Sequence, residues 1–251
     1  MSGHSKWANI RIRKGAQDTK RGKVYTRHAR LIEMAARTGG TDPFSNNALK
    51  HAMENAKMDS VPNANIERAI KKGTGALQGD AMTEILYAAM GPGGSACLIE
   101  CLTDNKNRTI GNIRSAIEKH GGRWTELGSV QWMFGRKGVV IAKKADGTLQ
   151  IAENLELQLI DTGAEDIDAT GETIDVVTDP AHWMPIRDLL KSAGCEILSA
   201  GLSFIPNQKT VINDVETAKQ LQTFIEIIEQ DDDVSEVHTN AEIAEEIVNK
   251  L

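Results

Sequence analysis

Apolar residues recur at helical spacing up to about residue 75 and at strand spacing from about residue 82, so two kinds of packing must share this chain. The helical part has three segments. The first runs from about Asp18 to Ala36 and is stopped by Gly39-Gly40. In the second, Ala48, Leu49, Ala52, Met53 and Ala56 form one stripe. Pro62-Asn63 opens a third, with Ile66, Ala69 and Ile70 inward and Gly73 at its close. Three short amphipathic helices cover their apolar faces only by packing on one another as a small bundle.

After residue 82, EILYAAM and SACLIECLT flank GPGG as a hairpin, NRTIGNIRSAIEKHGG reads as a helix, and SVQWMF as a third strand. Beyond Gly135-Arg136-Lys137-Gly138 the order is strand (GVVIAKK), helix (LQIAENLELQLIDTGA), a hairpin of EDIDAT and ETIDVVT across Gly171, helix (MPIRDLLKSAG) and strand (EILSAGLSFIP). That βαββαβ order is the ferredoxin-like signature. A final helix, VETAKQLQTFIEIIEQ, and strand, VSEVHTN, cannot form a domain alone; they complete the first αβ unit, so the ferredoxin-like module is inserted within it. The expected fold is α+β: a helical domain at 1–78 with an extended arm at 1–16, a discontinuous αβ domain at 79–135 and 206–251, and the insert at 136–205.

Apolar residues make up 40% and charged residues 25%, the proportions of a globular protein. No run approaches the roughly 18 to 20 apolar residues that cross a bilayer, and the start lacks the apolar segment of a secretory signal, so a cytoplasmic protein without a membrane partner is expected. A basic, acid-poor start also describes a transit peptide, but a helix with a core face follows directly and serine is scarce. Cys97, Cys101 and Cys195 form neither a disulfide framework nor a zinc-type pair.

Charge is segregated. Residues 1–75 carry 15 basic and 6 acidic side chains, a net of +9, against 14 and 29, a net of −15, in residues 76–251, giving −6 for the whole. A basic head on an acidic body attracts polyphosphate to one face and repels it from the rest. At about 100° per residue, Lys20, Lys23, Arg27, Arg30 and Arg37 share one arc of the first helix, apart from the apolar arc of Val24, Leu31, Ile32, Ala35 and Ala36. Lys20, Arg21 and Lys23 also crowd the first turns, where the helix dipole disfavours cations by about 0.3–1 kcal/mol each. With little acid nearby to relieve them, an anionic ligand is expected.

Phosphate is the natural one, bound with steep salt dependence through counterion release. The arm adds Lys6, Arg11, Arg13 and Lys14, and Trp7 either stacks on an unpaired base or clamps the arm as an apolar anchor. Thr103–Thr109 leads from strand to helix, so its polar groups cap the helix or add a secondary phosphate contact through Lys106 and Arg108.

Other chemistry is weakly signalled. GPGG lacks the lysine and the strand-to-helix setting of a P-loop and reads as a hairpin turn. Asp231-Asp232-Asp233 lacks calcium-loop spacing and reads as a solvated turn. His4, His28 and His51 could serve an RNA-processing enzyme as acid and base, but they have no identifiable carboxylate partner, so that alternative ranks below a binding protein. No catalytic residue, metal ligand or cofactor is therefore expected.

The stretch GHSKWANIRIRKGAQDTKRGK, with GPGG, ECLTDNKNRT and GSVQWMF, resembles the YebC/PmpR family, to which mitochondrial translational activators of cytochrome oxidase also belong. The likeness spans essentially the whole chain, with AEIAEEIVNKL extending past the expected last strand as a short acidic helix. It implies a three-domain α+β protein, a helical domain followed by two αβ domains, one interrupting the other. It also implies a non-catalytic regulator whose partner is nucleic acid: DNA in transcription, or ribosomal RNA and the ribosome in translation.

Overall fold

The computed structural model describes residues 21–75, 82–143, 153–169 and 173–248 of the chain. Helices α1 (Arg21–Gly39), α2 (Asn47–Met58) and α3 (Asn63–Gly73) form the N-terminal bundle around Ile32, Leu49, Val61 and Ile66. Much of the remaining core is alanine, Ala36, Ala56 and Ala69, which lets the helix backbones approach closely. Asn46 fastens the corner. Its side chain caps α2 by accepting from Leu49 N at 3.0 Å and donates to the Ala35 and Gly40 carbonyls at 2.8 Å each.

The closest approach is at Gly73. A β-carbon there would lie 2.4 Å from the Glu33 carbonyl oxygen and 2.9 Å from Ala36 Cβ. Backbone cannot swing aside as a side chain can. Gly73→Ala is therefore expected to destabilise the bundle by about 1–3 kcal/mol, read from chemical denaturation, despite alanine's better helix propensity.

The central αβ domain begins with β1 (Thr83–Met90) and β2 (Ala96–Thr103), paired antiparallel from Met90↔Ala96 to Thr83↔Thr103. GPGG makes their turn. Gly93 has φ +70°, which L side chains rarely adopt, and a β-carbon on it would also press on the Ile212 and Thr217 side chains, so the turn favours glycine. Helix α4 (Lys106–Lys119), strand β3 (Arg123–Thr125) and a short helix α5 (Leu127–Val130) follow. After the insert come β8 (Thr210–Ile212), α8 (Val215–Ile228), β9 (Val234–Thr239), β10 (Ala241–Ile243) and α9 (Glu245–Val248). The main sheet runs β3-β1-β2-β9, with β8 and β10 paired parallel beside it in sequence but in a separate ladder. The returning helix and strand thus complete this sheet.

The insert contains β4 (Phe134–Lys143), α6 (Glu153–Asp161), β5 (Ala164–Asp168), β6 (Thr173–Thr178), α7 (Trp183–Ser192) and β7 (Glu196–Pro206). Its strand order, β5-β6-β4-β7, is ferredoxin-like. Val140, Leu159, Ile174, Val176, Ile186 and Leu190 form its core. Among the described residues, Gly135–Ile205 make one compact unit, and those up to Phe134 together with those from Pro206 make the other.

Two local expectations are corrected. SVQWMF is not a strand: Val130 and Phe134 are buried while Gln131 and Trp132 are exposed, a four-residue spacing that suits a helical turn, and Arg123–Thr125 supply the sheet's third strand. AEIAEEIVNKL begins with strand β10, and only Glu245–Val248 are described as helix. No helix among the described residues is long and apolar enough to cross a membrane.

Candidate nucleic-acid interface

Lys23, Arg27 and Arg30 are spaced four and three apart and therefore project from one side of α1. Facing them is the turn between α8 and β9. Lys23 Nζ donates to the Glu229 carbonyl at 3.0 Å and to that of Gln230, and stands 3.9 Å from Asp232. These carbonyls end α8, where the dipole concentrates negative charge, so Lys23 caps a helix other than its own. Burial lowers its pKa, with the charges of Asp232, Asp231 and Glu229 working against that shift. Arg27 pairs with Glu236 at 3.3 Å.

Arg30 completes the contact. Its Nη1 lies 2.7 Å from Asp233 Oδ1, 2.6 Å from the Asp232 carbonyl and 2.9 Å from that of Leu102. Asp233, only 3% exposed, also accepts from Arg108 at 2.8 and 3.0 Å, from Thr109 at 2.6 Å and from Thr103 at 3.1 Å. Burial alone would raise the pKa of this carboxyl. Hydrogen bonds from Thr109, Arg108 and Arg30, with the Arg30 charge, overcome that and take it down to about 2.

The expectation of a free cationic arc is thus corrected at Lys23, Arg27 and Arg30: the acidic turn after α8 engages Lys23 and Arg30, and Glu236 of β9 engages Arg27. Asp231-Asp232-Asp233 is correspondingly not just a solvated turn, because Asp233 is its buried anchor. Arg37 has an in-helix partner, Glu33, at 3.5 Å, and Glu33 is shared with Lys72 at 3.1 Å. Arg108 is held by Asp104 and Asp233, while Asn105 caps α4 through Arg108 N, so in this loop the capping role is realised. Lys106 stays exposed at the start of α4.

Lys6, Trp7, Arg11, Arg13, Lys14 and Lys20 lie outside the described residues. His4 lies outside the described residues as well, whereas His28 and His51 acquire partners that the sequence did not reveal. His28 Nε2 and Asp59 Oδ2 are 2.5 Å apart, tying α1 to the end of α2, and His51 stands 3.5 Å from Glu54.

Sequence reasoning passed over the outer faces of α2 and α3. Lys50 and Lys57, seven apart on α2, and Arg68 and Lys71 on α3 are all exposed. Phe44, in the loop before α2, is 98% exposed. An exposed aromatic can stack on an unpaired base.

Residues 5–76 match the description "TACO1/YebC protein N-terminal domain", and residues 82–241 match "TACO1/YebC second and third domain". A protein of Enterococcus faecalis named "Probable transcriptional regulatory protein" is 45% identical over 242 residues, covering 96% of this chain and 99% of its own. One of the same descriptive name from Geobacter sulfurreducens is 44% identical over 252 residues, covering all of both chains. The crystal structure of a conserved hypothetical protein from Aquifex aeolicus superimposes with a TM-score of 0.81 at 37% identity, over 92% of this chain and 93% of that one. The chain belongs to the TACO1/YebC family.

Proposed function

We propose that this protein is a non-catalytic nucleic-acid-binding regulator of gene expression, a DNA-binding transcriptional regulator of the YebC type. The observation that carries the reading is the charge segregation, net +9 over residues 1–75 in a chain of net −6. The regulatory names of the relatives support it. Since Lys23, Arg27 and Arg30 are engaged within the fold, the contact is assigned to Lys6, Trp7, Arg11, Arg13 and Lys14 of the arm and to Lys20. Lys50, Lys57, Arg68 and Lys71 extend it over the bundle, and Lys106 is a secondary contact.

Fluorescence anisotropy across a salt series, with duplex DNA and with a ribosomal RNA fragment, tests this. Replacing Lys6, Arg11, Arg13 and Lys14 together with Gln is expected to weaken binding evenly across sequences. The log-log salt slope should shrink by about 3–4, roughly 0.9 per phosphate contact on duplex DNA. An unchanged slope would overturn the assignment to the arm, and cleavage of the probe would overturn the non-catalytic reading. Tighter binding to the RNA fragment would move the function from transcription to translation.

A further inference from the structure

We propose a divalent-cation site on the central sheet, formed by Glu100, Glu236 and His238. Glu100 and Glu236 are direct partners in the β2–β9 ladder, and His238 pairs with Leu98 two residues along, so all three side chains rise from the same face. Like charges directly opposite each other across antiparallel strands repel. The setting sharpens the cost, for every residue of β2 except Glu100 is buried. Arg27 offsets the charge of Glu236 at its outer oxygen, and a cation shared by the two carboxylates would relieve the repulsion that is left.

The geometry suits a metal ion. One oxygen of each carboxylate and one imidazole nitrogen lie within 4.8 Å of one another. His238 Nε2 stands 3.5 Å from Glu100 Oε1, and Nδ1 stands 3.8 Å from Glu236 Oε1. Two donors bound tetrahedrally at about 2.0–2.1 Å are separated by about 3.3 Å; an imidazole offers one nitrogen to an ion, so binding requires the carboxylate facing the other nitrogen to shift until both carboxylates and that one nitrogen, now within 4.8 Å of one another, surround the ion. His238 is 4% exposed, which holds the ring in place. Arg27 bonds the other oxygen of Glu236, Oε2, at 3.3 Å and fixes the carboxylate with its Oε1 toward the imidazole, as groups bonded to metal-binding carboxylates commonly do.

Two carboxylates and one imidazole favour a first-row divalent ion such as Zn²⁺ or Mn²⁺ over Mg²⁺, which prefers oxygen and water alone. The remaining positions would be taken by water. Because Arg27 belongs to α1, the ion would also reinforce the contact between the bundle and the sheet. None of this depends on nucleic-acid binding.

The full-length chain, stripped with chelator, is titrated with ZnCl₂ by calorimetry and followed by thermal melting, with MnCl₂ and MgCl₂ for comparison. One equivalent of Zn²⁺ is expected to bind and raise the melting temperature. His238→Gln and Glu100→Gln should each weaken binding about tenfold or more, with unchanged circular dichroism, while Cys195→Ser leaves it intact. If either variant misfolds, Co²⁺ in the unaltered chain decides: d–d bands without a thiolate charge-transfer band support the site, and a thiolate band overturns it. Absence of binding, or binding that survives both substitutions, also overturns it.

Discussion

Asp233→Ala is expected to destabilise the chain by about 3 kcal/mol at neutral pH, the low end of what breaking a buried ion pair costs, because Arg30 and Arg108 keep some contact with water. The loss is mainly that of the groups left behind. Arg30, Arg108, Thr103 and Thr109 all converge on this one carboxylate. Asp233→Asn keeps the shape and one acceptor oxygen and should lose about half as much. Asp232→Ala, at an exposed position whose carbonyl rather than carboxylate meets Arg30, should stay within about 0.5 kcal/mol of the unaltered chain.

The same residue sets an acid limb. Its folded pKa, about 2, lies below the ordinary carboxylate value, so its stabilisation is fully present above about pH 4 and is lost as pH falls toward 2. Urea denaturation between pH 6 and 2.5 checks this. Asp233→Asn should flatten the decline, and a variant as acid-sensitive as the parent would show that another carboxylate controls it.

The fold was legible because its signals are local: hydrophobic period, glycine breaks, and the βαββαβ order that only a ferredoxin-like sheet satisfies. SVQWMF failed because its apolar residues suit a strand and a helical turn equally well over so short a span. The cationic stripe of α1 was visible as well, but it was read as facing a phosphate ligand, whereas Lys23, Arg27 and Arg30 meet acceptors of the chain itself. What the sequence could not show is that these acceptors lie about two hundred residues away, from the end of α8 into β9, since ion pairing across such separations leaves no local pattern. His28–Asp59 and the Glu100–Glu236–His238 cluster were missed for the same reason. One hint was available: Glu236-Val237-His238 has the spacing that places two ligands on one face of a strand.

Asp175→Asn should do the reverse of the Asp233 substitutions and stabilise the ferredoxin-like unit at pH 8 by about 2 kcal/mol. Asp175 sits opposite Asp168 in the β5–β6 ladder, and both its carboxylate oxygens are buried. Burial pushes its pKa up to about 6, with the Thr173 hydroxyl working against the rise and the Asp168 charge adding to it. An acid that holds its proton more tightly when folded favours the fold at low pH. That advantage drains away as pH climbs from about 4 through 6, and the ionised group strains the sheet above it. Asparagine is neutral throughout, so the variant and parent should match near pH 3.5, diverge between about pH 4 and 6, and keep that difference up to pH 8. Because the chain has two compact units, amide exchange of β6 residues is a better measure than a global melt. If β6 instead exchanges faster in the variant at pH 8, the Asp175 carboxylate holds a cation there, and its charge contributes to the fold rather than opposing it.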